Sequence, residues 1–343
     1  MSDFFKENRV EAFTRLGDFL LNPNDDFKNT IESAKHKNAW FSQEQVLSAI
    51  NANGQMLNKA DLLKFTANIP GLNHHPKNVG LILAGNIPLV GFHDILTVLL
   101  TGNIAVIKLS SQDDLLIPYI LSKLVETEPN FKNKIQFVEK LESFDAVIAT
   151  GSNNSSRYFD HYFSKVPNII RKNRNSVALL TGKETTEDLK RLGADIFNYY
   201  GLGCRNVSKL FVPEGYVFKH FFESIEEFSP IINHHKYNNN YDYNKSIFLI
   251  NKNQHFDNGF LLVAKDDRMV SPLATVYYQE YQTLGQAIEI LNNKANEVQV
   301  VVSSVNESMV PSKVSFGESQ NPKLWDFADG VDTISFLNSL NRI

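Results

Sequence analysis

Val79-Gly80-Leu81-Ile82-Leu83-Ala84-Gly85-Asn86-Ile87-Pro88 begins as an uninterrupted apolar run and closes on Gly, Asn and Pro. A short run of this kind, bounded by turn residues, is the pattern of a parallel strand covered on both faces. The pattern then repeats. The spacing predicts a helix over about 88–101, a strand at Ile104-Ala105-Val106-Ile107-Lys108 and a helix over 114–125. Two further strands follow at Lys134-Ile135-Gln136-Phe137-Val138 and Ala146-Val147-Ile148-Ala149-Thr150, then a helix over 155–163. Strands alternating with helices at this pitch predict a doubly wound parallel sheet, in which ligands bind at the carboxyl ends of the strands. A second α/β pattern runs from Ser176-Val177-Ala178-Leu179-Leu180 to about Ser303. It contains an amphipathic helix over 187–199, a strand at 208–212, a helix over 284–292 and a strand at 298–302. Upstream, apolar spacing in 4–21, 46–50 and 56–67 makes residues 1–76 largely helical, and Pro70-Gly71 and Pro76 end that segment. The Asn- and Tyr-rich stretch 234–245 reads as a solvated surface loop.

Composition narrows the function classes. With 43% hydrophobic residues and 25 Phe and 12 Tyr among 343, the chain buries a large core and is long enough for about two domains. A net charge of −4 argues against a general nucleic-acid binder. The charged start Met1-Ser2-Asp3-Phe4-Phe5-Lys6-Glu7-Asn8 lacks the apolar core of a signal peptide, and His93, Asp94 and Lys108 interrupt the most apolar stretch, 87–109. No membrane-spanning segment is expected, and a single cysteine fits a reducing cytoplasm. The pairs His74-His75 and His234-His235 diverge on a strand or a helix, so no metal site is expected. His93 reads as a packed or capping residue.

That single cysteine, Cys204, stands in Tyr199-Tyr200-Gly201-Leu202-Gly203-Cys204-Arg205-Asn206, a glycine-bearing turn between a helix and a strand. Turns of this kind present reactive groups, although a lone cysteine is also a small buried apolar residue. A free thiol titrates near 8.5, so a nucleophile needs help from a dipole or a cation, and Arg205 is next in sequence. The strand ends carry candidate nucleotide contacts. Asn86 follows the first strand, Lys108 ends the second, and Thr150-Gly151-Ser152-Asn153 closes the fourth and opens a helix whose free N–H groups suit a pyrophosphate. Each has a plainer alternative: a turn residue for Asn86, a solvated lysine for Lys108, a helix cap for Gly151-Ser152. Neither a G-x-G-x-x-G nor a P-loop lysine motif is present.

Taken in order, Gly85-Asn86-Ile87-Pro88, Gly102-Asn103-Ile104-Ala105-Val106-Ile107-Lys108, Thr150-Gly151-Ser152, Gly203-Cys204 and Lys209-Leu210-Phe211-Val212 resemble the aldehyde dehydrogenase superfamily over nearly the whole chain after about residue 78. Phe316-Gly317-Glu318-Ser319-Gln320 and Asp326-Phe327-Ala328-Asp329-Gly330-Val331-Asp332-Thr333 resemble the acyl-CoA reductases related to LuxC. The resemblance implies an aldehyde-dehydrogenase-like fold of two doubly wound α/β domains with a helical N-terminal segment. It divides the chain into that segment (1–76), a nucleotide-binding domain (77–172 with about 317–343) and a catalytic domain (173–316) carrying Cys204. It makes Cys204 the nucleophile and the Asn86 amide, with the Cys204 N–H, the oxyanion hole. Lys108 becomes a contact to the adenosine ribose or its phosphate, and Gly151 and Ser152 a contact to the pyrophosphate.

The departures from the family direct the chemistry. The segment that holds the water-activating glutamate of aldehyde-oxidising members is Ile170-Arg171-Lys172-Asn173-Arg174 here, and no Asp or Glu occurs from His161 to Lys183. An acyl-enzyme without that base is expected to accept hydride rather than water. Arg171, Lys172 and Arg174 read as a solvated basic loop, with a grip on a coenzyme A phosphate as the alternative. Ser110-Ser111 replaces the acidic residue of many NAD-preferring members, which favours NADPH with NADH as the alternative. The segment that contacts the nicotinamide ribose survives as Arg268-Met269-Val270-Ser271-Pro272. The resulting expectation is a cytoplasmic, NADPH-dependent reductase that converts a long-chain acyl-CoA or acyl-protein thioester to a fatty aldehyde and releases coenzyme A. By analogy with relatives it is a homo-oligomer and works beside a fatty-acid-activating synthetase. The alternatives are an acyltransferase or thioesterase without the reductase step, and a non-catalytic partner in a fatty-acid-activating complex.

Overall fold

The computed structural model describes residues 2–69, 75–151, 153–306 and 310–340; Ser152, His74 and Pro70-Gly71 lie outside the described residues. The chain divides into two compact units, Met1–Asn173 with Pro322–Ile343, and Arg174–Asn321.

The first unit opens with α1 (Ser2–Leu21), α2 (Asp25–Lys37), α3 (Gln43–Met56) and α4 (Lys59–Thr66). Sequence spacing did not single out α2, yet its causes are local. Asn24 accepts from the Phe27 N–H at 2.9 Å, acids fill its first turn and bases its last, and Phe27, Ile31 and Ala34 make one buried face. The alternating part follows: β1 (Asn78–Ile82), α5 (Phe92–Leu100), β2 (Ile104–Lys108), α6 (Leu116–Thr127), β3 (Ile135–Phe137), β4 (Ala146–Thr150), α7 (Asn153–Tyr162) and β5 (Asn168–Arg171). These strands form one parallel sheet in the order β3-β2-β1-β4-β5. Val79 and Leu81 pair with Ala105 and Ile107 on one side and with Ala146 and Ile148 on the other. All six join a single apolar cluster with Phe13, Leu16, Phe27 and Leu99, so α1 and α2 share the core of the sheet. The opposite face packs Val106, Val147 and Ala149 on Leu141 and Phe163, as period-2 alternation requires.

α5 is buried all round, including Asp94. Its carboxylate is met by Arg171 at the end of β5. Nη2 reaches Oδ1 at 2.7 Å, Nη1 binds Oδ2, and Thr333 Oγ1 lies 3.4 Å from Nη2. Arg171 is therefore a buried structural cation. This corrects the reading of Arg171 as part of a solvated basic loop, and removes it as a grip for a coenzyme A phosphate. Lys172 is exposed and pairs with Asp160 at 3.4 Å. His93 donates from Nε2 to the Leu324 carbonyl, 2.8 Å away, and packs against Phe65 and Phe327, which makes it a packing residue.

The second unit holds β6 (Asn175–Leu179), α8 (Thr186–Phe197), β7 (Val207–Pro213), α9 (Lys219–Ser224), α10 (His235–Ile250), β8 (His255–Asp257), β9 (Leu262–Lys265), β10 (Thr275–Tyr281), α11 (Leu284–Asn293), β11 (Val298–Val302) and β12 (Lys313–Val314). Its sheet runs β12-β11-β6-β7-β10-β9-β8, parallel except for the β8–β9 edge pair. α10 overturns the expected surface loop at 234–245. Asn is a weak helix former, but Tyr237, Tyr241, Asn244 and Phe248 recur at helical spacing and are buried. Tyr237 donates to the Phe260 carbonyl at 3.0 Å and Asn244 to the Leu273 carbonyl at 2.9 Å, while His234 caps the helix. Burial of that stripe outweighs the local preference. A final helix, α12 (Thr333–Ser339), returns to the first unit.

Removing one partner of the buried pair strands the other, which costs about 3–5 kcal/mol. Asp94→Ala should lower the unfolding free energy obtained from urea titration by that amount, whereas Lys172→Ala, on the exposed residue next to Arg171, should change it by no more than about 0.5 kcal/mol.

Candidate active site

α8 ends at Phe197, two residues short of the predicted end, because the chain turns left-handed there. Tyr199 (φ 52°), Tyr200 (φ 57°) and Gly201 (φ 78°) follow one another in that region. Only the third is a residue that adopts it freely. The turn is held from beyond. The buried Asn206 amide donates from Nδ2 to the carbonyls of Asp195, Ile196 and Asn198 at 3.1, 3.3 and 2.8 Å, and its Oδ1 accepts the Gly203 N–H at 2.8 Å. One side chain thus satisfies the carboxyl end of α8 and closes the loop that carries the thiol. Cys204 is exposed, takes part in no disulfide, and its carbonyl accepts from Ser176 Oγ at 3.0 Å. The buried-apolar alternative for this residue does not describe it. Asn206 was not singled out from sequence; its place just before a strand and after two glycines was the available signal.

Beside the loop lies a small cavity of about 70 Å³, lined by Tyr200, Gly203, Ser208, Pro272, Leu273 and Thr275 among others. It sits at the amino ends of β6, β7 and β10. Pro272 is exposed on a turn closed by Thr275 N–H to Pro272 O at 3.2 Å and Ser271 Oγ to Thr275 O at 2.6 Å. The structure therefore brings Pro272 and the cysteine loop to one cavity. The segment before this turn is tied down by Lys209 of β7, fully buried, whose ammonium donates to the Asp267 carbonyl at 2.9 Å and to Gln279 Oε1 at 2.7 Å. Burial pushes that ammonium down to about 8. Sequence reading treated Lys209 only as part of a strand.

In the first unit, Asn86, Lys108 and Gly151 stand at or just beyond the carboxyl ends of the adjacent strands β1, β2 and β4. Asn86 and Lys108 are half-buried. The loop with Asn86 is fixed by Asp113, which accepts the N–H of Leu89, a left-handed residue (φ 60°), at 2.8 Å. Burial pushes the Asp113 carboxyl up to about 6. Ser110 packs under the same loop: a Cβ on Gly85 would lie 2.5 Å from its Oγ. Ser111 is exposed. Gly151 packs against Phe159 and Ser155 of α7, at 2.8 and 2.9 Å from an added Cβ, so its lack of a side chain serves the helix contact first. Asn103 is also structural, accepting the Lys77 N–H at 3.0 Å.

A family model described as acyl-CoA reductase (LuxC) matches residues 24–227. No curated protein matches the chain. Solved structures share the fold. Aldehyde dehydrogenase 21 from Physcomitrella patens is 11% identical with a TM-score of 0.69, covering 98% of this chain and 84% of that one. An oxidoreductase from Marinobacter aquaeolei is 13% identical with a TM-score of 0.68, covering 93% and 79%. NADP-dependent glyceraldehyde-3-phosphate dehydrogenase from Bacillus halodurans, complexed with NADP, is 13% identical with a TM-score of 0.62, covering 91% and 79%. The fold is that of the aldehyde dehydrogenases.

Asn206→Ala leaves helix-end carbonyls and the Gly203 N–H without their partner, and should destabilise the protein by on the order of 3 kcal/mol in chemical denaturation. The raised Asp113 gives a pH dependence of known sign. Between about pH 4 and 6 the folded chain holds a proton that the unfolded chain releases, so this group's contribution is complete below that window and declines as pH rises through it. Asn at this position still accepts the Leu89 N–H but does not titrate. Asp113→Asn should therefore lose less stability than the parent between pH 4.5 and 7, as measured by urea midpoints at the two pH values.

Proposed function

Because the chain belongs to the LuxC acyl-CoA reductase family and is an oxidoreductase of aldehyde chemistry, we propose that it reduces an acyl-CoA or acyl-protein thioester to an aldehyde through an acyl-enzyme on Cys204. The observation that carries this reading is an exposed thiol on a backbone-clamped loop beside a cavity, in a family of thioester reductases. In the proposed first step the Cys204 thiolate attacks the thioester carbonyl and forms a carbon–sulfur bond. The oxygen that gains charge is held by the Asn86 amide and the Cys204 N–H. Collapse expels coenzyme A as a thiolate that takes up a proton, and Cys204 keeps the acyl group as a thioester.

The proposed cofactor is NADPH, held by Lys108, Ser110, Ser111, Gly151 and Ser152 in the first unit and by Pro272 in the second. The described residues of the β2–α6 loop suit a 2′-phosphate. Asp113 turns inward to the Leu89 N–H and Asp114 pairs with Lys37 at 2.6 Å, so the loop's two carboxylates are engaged and its two serines remain. Bound there, the reduced nicotinamide would supply the hydride, and the carbon–sulfur bond to Cys204 would then break to release the aldehyde and return the thiolate. Hydrolysis is disfavoured by the absence of a carboxylate from residues 161–183. The next one, Glu184, uses both oxygens to accept from Thr181 and Gly182, at 2.6–3.0 Å.

Mixing the protein with octanoyl- or palmitoyl-CoA in the absence of cofactor should give an acylated intact mass that is missing in Cys204→Ser. Adding NADPH should then consume one cofactor per acyl group, with the aldehyde as product. Acylation without NADPH oxidation would identify a transferase or thioesterase, and no acylation would identify a non-catalytic partner. Asn86→Ala should slow acylation about 10²–10³-fold without abolishing it.

A further inference from the structure

The buried Asp195 has no part in that chemistry, yet it joins three segments around the thiol. It lies on α8 and is 1% exposed. One carboxylate oxygen accepts the Gly317 N–H at 2.7 Å and the other the Ser319 N–H at 3.0 Å. Its backbone carbonyl accepts Asn206 Nδ2 at 3.1 Å. Ser319, itself fully buried, offers its carbonyl to Arg205 Nη1 at 3.3 Å. The connections close a ring: α8 holds 317–319, 317–319 holds Arg205, and Arg205 and Asn206 lie on the chain immediately after Cys204. Gly317 supports the close approach, with φ 82° and an added Cβ only 3.2 Å from Arg191 Cβ. Burial pushes the Asp195 carboxyl up to about 6, so ionising it is unfavourable unless both N–H donors remain in place.

We infer that Asp195 is a positioning residue for the nucleophile, holding the 317–319 segment so that its Ser319 carbonyl fixes the Arg205 guanidinium on the loop of Cys204. The inference rests on the reading of Cys204 as the nucleophile. A cation fixed on that loop favours the thiolate, and one released to solvent is screened and disordered. The consequence falls on reactivity of the sulfur and not on substrate affinity. It also predicts that Asp195 and Arg205 act through the same contact.

The test compares Asp195→Asn, Arg205→Gln and the double variant, using full-length protein, iodoacetamide and octanoyl-CoA at neutral pH. Iodoacetamide reads the sulfur without any need for the acyl site. Each single variant should slow both alkylation and single-turnover acylation about 10-fold, with KM for octanoyl-CoA changed less than about 2-fold. The double variant should be no slower than either single one, because the second change removes a contact already lost. Unchanged alkylation in Asp195→Asn, or multiplicative effects in the double variant, overturns the inference. Should Asp195→Asn fail to fold, Arg205→Gln decides alone: unchanged alkylation overturns the proposal and a 10-fold loss supports it. Failure of the underlying reading looks different, since there either the parent protein is not acylated at all or Cys204→Ser keeps its acylation.

Discussion

Two consecutive tyrosines in left-handed backbone are the constraint on which the loop carrying Cys204 depends. Each non-glycine residue in that conformation costs roughly 1–2 kcal/mol, so Tyr199 and Tyr200 remain there only because their surroundings dictate it. Both rings are buried, Tyr200 packs against His234 at a tilt of 32° with centroids 4.2 Å apart, and Leu202 N–H closes onto Tyr199 O at 3.0 Å. Asn206 then reaches back and takes the helix-end carbonyls. The turn breaks α8 sharply enough for the chain to enter β7 three residues after the exposed Cys204.

Much of the fold was legible because strands buried on both faces announce themselves. β2, β4 and β11 coincide with the predicted runs, since three, four and five consecutive buried positions respectively leave little freedom in where pairing starts. Helix starts were less visible. α5 begins at Phe92, not near Pro88, because Leu89 is left-handed and Asp113 holds it there. That contact spans 24 residues, and nothing local encodes it. α10 failed in the opposite sense. Its asparagines argued for a loop, and only the tertiary placement of Tyr237, Tyr241 and Phe248 shows that a buried stripe was present among them. Arg171 was misread for a similar reason: its neighbours Lys172 and Arg174 are polar, while its partner Asp94 lies in the most apolar helix of the chain.

The candidate site was legible as residue types and not as support. Cys204, Asn86 and Lys108 stand out because they lie on turns or at strand ends, and Pro272 through the family resemblance. Asp195, Asn206 and Lys209 do not, because a buried polar residue looks like any other until its partners are known. All three are acceptors or donors for backbone groups: Asp195 for Gly317 and Ser319, Asn206 for α8, and Lys209 for Asp267. Backbone partners leave no trace in side-chain identity, so residue types alone did not find them, and only Asn206 had a positional signal, its place after two glycines and before a strand.

The position of the thiol creates an electrostatic difficulty that the same residues answer. Candidate groups of the first unit follow the carboxyl ends of strands, where helix amino termini bring partial positive charge. Cys204 instead follows the carboxyl end of α8, which carries partial negative charge and disfavours an anion nearby. That charge resides on carbonyls without partners. Asn206 Nδ2 donates to those of Asp195 and Ile196, and the C-cap Asn198 N–H donates to Ala194 O. With its carbonyls engaged, the helix end contributes less negative potential at the loop. Arg205, held at Ser319, adds a positive charge on the residue after the sulfur. A thiolate there therefore depends on polar groups that engage the helix end as much as on the glycines that expose it.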